Sequence, residues 1–164
     1  MSRPAHTSAA TRYRFTHRTV EALTDVMTRR GYPRATVLRA LDELRFIPDL
    51  RSPDALDWRA PILFGARRSG VAGIALGLKV FVVSPRHLRS PALLAHEAMH
   101  VVQQQHRKML PFLTRYSWHW LKRRASGMDH DTAYRSLPDE EEARDIERDA
   151  VRALAAHAPW IIEA

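Results

Sequence analysis

The 164-residue chain contains no cysteine. No disulfide can staple it, and no thiolate can hold a metal, so any metal site must be built from His, Asp or Glu. Long hydrophobic runs are also missing. The longest candidate, residues 71–83, is broken by Gly73, Gly77 and Lys79 and falls short of the roughly 20 apolar residues that span a bilayer. No internal repeat or low-complexity tract is found. Acidic residues are absent before Glu21, whereas Arg3, Arg12, Arg14 and Arg18 precede it.

That composition predicts a disordered basic arm over residues 1–18, ahead of a single domain over residues 19–164. A transit peptide is the second reading of the arm, ranked lower because no amphipathic helix is apparent. The apolar stretch of a standard secretory signal is missing, so the expected location is the cytoplasm, or export by a route without such a signal. The hydrophobic fraction of 45% and charged fraction of 27% are ordinary for a globular protein. A chain of this length can bury roughly 70% of its unfolded surface, enough for a core. The formal net charge of +8 fits nucleic acid or an anionic membrane in principle. The arginines are dispersed without an aromatic-interleaved basic stripe, so nucleic acid is not the expected partner.

Apolar periodicity predicts amphipathic helices over 20–30, ended by Gly31, and over 34–46. Pro48, Pro53 and Pro61 mark a loop. Ile74–Leu76 and Lys79–Val83 read as two strands around a turn at Gly77. Ser90-Pro91 is a strong helix start, since Ser caps free amides and Pro fits the first turn. The helix it opens is expected to run to about Met109. Further helices are expected over 112–125, 129–136 and from Asp139 to about His157, the last with an acidic first turn matched to the helix dipole.

The helix opened by Ser90 carries His96-Glu97-Ala98-Met99-His100. Histidines four apart share one helix face and can share a metal. Glu97 then points beside the metal, where it can take a proton from a bound water. The flanking residues, Leu93-Leu94-Ala95 and Val101-Val102, are apolar, so three ionisable groups in a buried helix require a reason. A catalytic zinc takes three protein ligands and leaves a position open. The third must come from a carboxylate or another histidine. The run Asp139-Glu140-Glu141-Glu142 is the main source, and spacing does not choose within it. His106, His119, His130 and His157 are weaker candidates. Gln103, seven residues after His96, returns to the same face and can bond a ligand or substrate. Tyr116 and Tyr134 are candidates to donate to the oxyanion formed when water attacks a carbonyl, or to bond a metal ligand from behind.

The stretch from Leu93 to Gln104 closely resembles the signature helix of bacterial zincin-like metallopeptidases, including the core domain family of extracellular contractile injection systems. Gly73 to Val82 resembles the strand pair that precedes that helix. Phe112 to Tyr116 and Ala133 to Arg144 resemble the segment carrying the third ligand. The resemblance spans roughly residues 60 to 150. It implies an α+β, mainly helical zincin-like fold, with a small antiparallel sheet beside the HExxH helix and an edge strand lining the cleft. An edge strand can add an extended peptide, so a peptide or protein substrate is implied.

In the gluzincin branch the third ligand is a glutamate followed three residues later by a small residue. Glu140 with Ala143 matches, so the implied zinc ligands are His96, His100 and Glu140, with Glu97 as the base. Glu142 and Glu147 stand in reserve, the latter because Ala150 repeats the pattern. Arg144 falls where Asp or Asn is common, which leaves open what orients the histidines. The expected function is a zinc-dependent metallopeptidase with one zinc per chain. The alternatives are a zincin-fold binding or packaging module of a secretion or injection system, and a nucleic-acid-associated protease resembling the SprT-like group, which usually offers a third histidine.

Overall fold

The computed structural model describes residues 11–48, 72–155 and 158–164. The fold is α+β and mostly helical, with one five-stranded sheet. Strand β1 (Tyr13–Phe15) leads into helix α1 (His17–Arg29), whose first turn is capped by the Thr16 hydroxyl accepting from the Thr19 amide. Helix α2 (Arg34–Glu43) and strand β2 (Arg45–Pro48) follow. The hairpin of β3 (Gly73–Leu76) and β4 (Lys79–Val82) turns through Gly77, whose φ of 63° is the left-handed conformation a two-residue turn needs. After a short 3-10 helix (Pro85–Arg89) come helices α3 (Pro91–Arg107), α4 (Met109–Ala125), α5 (His130–Arg135) and α6 (Pro138–Leu154), then strand β5 (Ile161–Glu163).

The sheet order is β3-β4-β2-β1-β5. It is mixed, not antiparallel as expected: β2 runs parallel to β4, with Arg45 opposite Lys79 and Phe46 opposite Val80. The other pairings are antiparallel. β2 pairs with β1, which precedes α1, and with β4, which lies beyond residue 72, a non-local arrangement that a strand-by-strand pattern does not reveal. The expected 34–46 helix is split for the same reason. It ends at Glu43, and Phe46 and Ile47, both fully buried, belong to the sheet interior.

Part of the stretch read as a disordered basic arm over residues 1–18 is ordered. Residues 13–15 pair with β2 and β5, and α1 starts at His17, because Phe15 and Trp160 bury themselves in the core. Residues 1–10, most of the proline-marked loop and His157 lie outside the described residues. The expected run through Met109 is broken too. Pro111 has no amide to continue the ladder, so α3 stops at Arg107 and α4 restarts through Lys108 at a φ of 63°.

One continuous core joins α1, α2, the sheet's inner face and the apolar sides of α3 and α6. Helix α3 runs through its centre and packs against α6, α2 and β3. Its buried stretch from Leu94 to Gln104 includes four polar residues, Glu97, His100, Gln103 and Gln104, each of which requires a partner.

Candidate metal centre

Ser90 accepts the Leu93 amide and Pro91 occupies the first turn, so α3 starts where the sequence directs. One turn apart on its buried side, His96 and His100 turn their Nε2 atoms to within 3.2 Å of each other. Helix α6 crosses them with its own first turn. Glu140, at 1% exposure, puts Oε2 3.2 Å from His96 Nε2 and Oε1 3.2 Å from His100 Nε2. The three ligand atoms lie within 4.8 Å of one another. Among the described residues this is the one His/Asp/Glu group arranged to hold a metal ion.

The hydrogen bonds behind the cluster fix what its front can do. Gln103 Nε2 donates to the Asp139 carbonyl at 3.1 Å and to Glu142 Oε2 at 2.9 Å. Both are acceptors, so the amide's orientation is determined, and Gln103 Oε1 faces His100 Nδ1 at 2.9 Å. That nitrogen must carry the proton. His96 Nδ1 likewise lies 3.2 Å from a Glu147 carboxylate oxygen and donates to it. Both Nε2 atoms are thereby left as bare lone pairs, aimed at each other and at a carboxylate. Glu140 Oε2 is fully buried with no hydrogen bond. Such convergence of acceptors is repulsive unless a cation sits among them. A His₂Glu donor set with the rear nitrogens bonded is the chemistry a catalytic zinc takes.

Without a metal, a proton can take that place. Burial alone disfavours the His100 imidazolium, but the Glu140 carboxylate outweighs it and pushes the imidazole up to about 9. Burial opposes the Glu140 charge as well, yet His100, His96 and Tyr116 hold it well below the usual carboxylate range.

Glu97 is not one of the three converging groups. Burial drives its carboxyl up, and the two histidines pull it back only in part. Its side chain lies flat on Gly73 of β3. A β-carbon there would stand 3.1 Å from Glu97 Oε1, so glycine is what admits the carboxylate. Glu97, His100 and Glu140 open on a cavity of about 600 Å³, walled by β3 on one side and by α4 and α5 on the other. Among the described residues, strand β3 stands at one end of the sheet. Gln104 partly caps that edge, donating to the Ala75 carbonyl and accepting from the Gly77 amide.

The remaining candidates divide. Tyr116 donates to Glu140 Oε1 at 2.7 Å, so its hydroxyl is spent on a ligand, not free for an oxyanion. Tyr134 lines the cavity with its ring 6.5 Å from that of Tyr116. Burial, then the Glu140 carboxylate, pushes its hydroxyl up, so it stays a proton donor at any ordinary pH. Glu142 and Glu147, held in reserve as ligands, are not in the cluster. Glu142 accepts from Gln103 and from the Tyr32 hydroxyl, and Glu147 sits behind His96. His106 stacks edge-on against Tyr32 and His130, in the cavity wall, against Trp120; neither belongs to the three-residue cluster.

What orients the histidines is therefore Gln103 and Glu147. Glu147 lies one turn beyond Ala143, on the same face of α6 as Glu140; its i+7 spacing from Glu140 was the available signal. Asp139, read only as one of four acids in the run, has a different part. It is buried, paired with Arg107 and Arg115, and its backbone carbonyl holds Gln103. Comparison with protein-family models, with curated proteins and with solved structures returns no match.

Proposed function

We propose that this chain is a zinc-dependent peptidase with a zincin-type fold, using His96, His100 and Glu140 to hold one zinc ion and Glu97 as general base. The observation that carries the reading is the convergence of two histidine lone pairs and a buried carboxylate, with both rear imidazole nitrogens already bonded. When bound, zinc supplies the acidity that makes water nucleophilic near neutral pH and the charge that polarises a carbonyl.

The chain's own residues supply the rest. Glu97 takes the proton of the attacking water and returns it to the leaving nitrogen. Burial raises its carboxyl, which brings its proton affinity nearer the operating pH and suits both halves of that transfer. Tyr134, which lines the same cavity, would donate to the oxygen on which charge develops. Among the described residues β3 ends the sheet, and the part of its edge that Gln104 leaves uncovered would pair with an extended peptide, which favours a peptide over an ester or sugar substrate.

The test is hydrolysis of an unstructured protein substrate by zinc-loaded enzyme beside Glu97→Gln. Glu97→Gln is expected to keep its zinc and fold while losing on the order of 10²–10⁴ in turnover, the usual contribution of a positioned base. Equal hydrolysis by the two proteins excludes Glu97 as base.

A further inference from the structure

Helix α4 is poorly covered for its length. Of its 17 residues only Phe112 is buried. One side, carrying Phe112, Tyr116 and Trp120 at steps of four, lines the cavity. The opposite side carries Leu110, Thr114, Trp118, Leu121 and Ala125 at steps of four, four, three and four, which is a single helix face. Leu110 is 77% exposed, Trp118 63% and Leu121 54%. Lys122 flanks this stripe on one side and Arg124 on the other, both exposed. No acidic residue occurs between Glu97 and Asp129, whereas Arg107, Lys108, Arg115, Lys122, Arg123 and Arg124 do.

We propose that α4 is an interfacial helix that docks the protein on an anionic lipid bilayer, with Leu110, Trp118 and Leu121 entering the headgroup boundary and Lys122 and Arg124 meeting lipid phosphates. Three observations choose this occupant. An aliphatic and tryptophan stripe flanked by basic residues is the pattern of helices that lie in a membrane surface, and Trp is at home at that depth. A nucleic acid would leave Leu110 and Leu121 without a partner, because neither phosphate nor stacked base rewards an aliphatic side chain. A second copy pressed stripe to stripe would bring basic flanks together with no acid on either helix to pair them. Because the other face of α4 walls the cavity, docking holds the candidate site about one helix diameter, ~10–12 Å, from the bilayer. The inference does not depend on the metal.

The experiment is sedimentation of the full chain with vesicles of phosphatidylcholine alone and of phosphatidylcholine mixed with phosphatidylglycerol. Binding is expected to the mixed vesicles only and to fall with added salt. Trp118→Ala with Leu121→Ala is expected to weaken it about tenfold or more, while far-UV circular dichroism and Tm stay those of the parent, since both residues face solvent. Lys122→Glu with Arg124→Glu should abolish it. No binding to the mixed vesicles, or binding indifferent to both double variants, overturns the proposal. Four other outcomes also overturn it: binding to uncharged vesicles alike, duplex or single-stranded DNA displacing the vesicles, dimers that dissociate on Leu121→Glu, or a Trp118 fluorescence (wild type minus Trp118→Phe) shielded from acrylamide in the free protein, which would mean that the chain covers its own stripe.

Discussion

Gly73 and Glu97 occupy one another's space. With Glu97 Oε1 3.1 Å from where a β-carbon would stand, Gly73→Ala must push the carboxylate aside. The expected result is unchanged zinc stoichiometry with reduced kcat, because the base is displaced. Zinc titration alongside peptide hydrolysis checks it. Titration of His100 gives a second expectation at this scale. Its folded pKa of about 9 is above the ordinary 6.5, so in metal-free protein its contribution is fully present below 6.5 and lost as pH rises through about 9. Glu140 works in the other direction: its pKa is depressed, so its contribution is present above 4.5 and lost as pH falls towards its folded value. Metal-free protein should therefore lose Tm between pH 6.5 and 9, and zinc-loaded protein should not, because the ion replaces the proton. Tm measured against pH with and without chelator reads this directly. A parallel decline in the two forms would contradict it.

At the scale of elements, the site exists where the middle of α3 meets the first turn of α6. Leu137 and Pro138 start α6 beside Gln103, so the acidic turn delivers Glu140 to the histidines while Asp139 is neutralised by Arg107 and Arg115. Four residues further from Ala143, Glu147 reaches behind His96. Glu147→Gln keeps the shape and removes the charge. It should weaken zinc binding about 10–100-fold without unfolding the chain, as loss of an outer-shell partner does. Competition against a chromogenic chelator measures it.

The helices were legible in the sequence because their signals are local. Ser90-Pro91 opens α3, Asp129 accepts the Thr132 amide to cap α5, and a proline follows Leu137. The His-Glu-x-x-His register was legible for the same reason. Glu147's place was not, because one face of α6 offers two glutamates and only tertiary packing separates the ligand position from the one behind it. That Tyr116 supports Glu140 was not legible either, because its partner comes from another helix.

Across the whole molecule, the sheet was the least legible part. β1 and β5 are three residues each and pair across nearly the full length of the chain, Phe15 opposite Ile161. β2 inserts between β1 and β4 in a mixed arrangement that no local pattern announces. Its Phe46 is fully buried and meets Phe15 edge-on at 4.9 Å. Phe46→Ala should cost about 3–5 kcal/mol, the usual penalty for emptying an aromatic site in a core, and a shifted urea midpoint would show it. The fraction that remains folded should still bind zinc, because Phe46 is not one of the groups that hold the cluster.

Native mass spectrometry after zinc titration is the most direct test of the metal centre. Wild-type protein should carry one zinc per chain, Glu147→Gln should carry it more weakly, and His96→Ala and Glu140→Ala should carry none at the same free zinc concentration. Wild-type protein that takes up no zinc, or Glu140→Ala protein that holds it as tightly as wild type, would contradict the assignment of His96, His100 and Glu140.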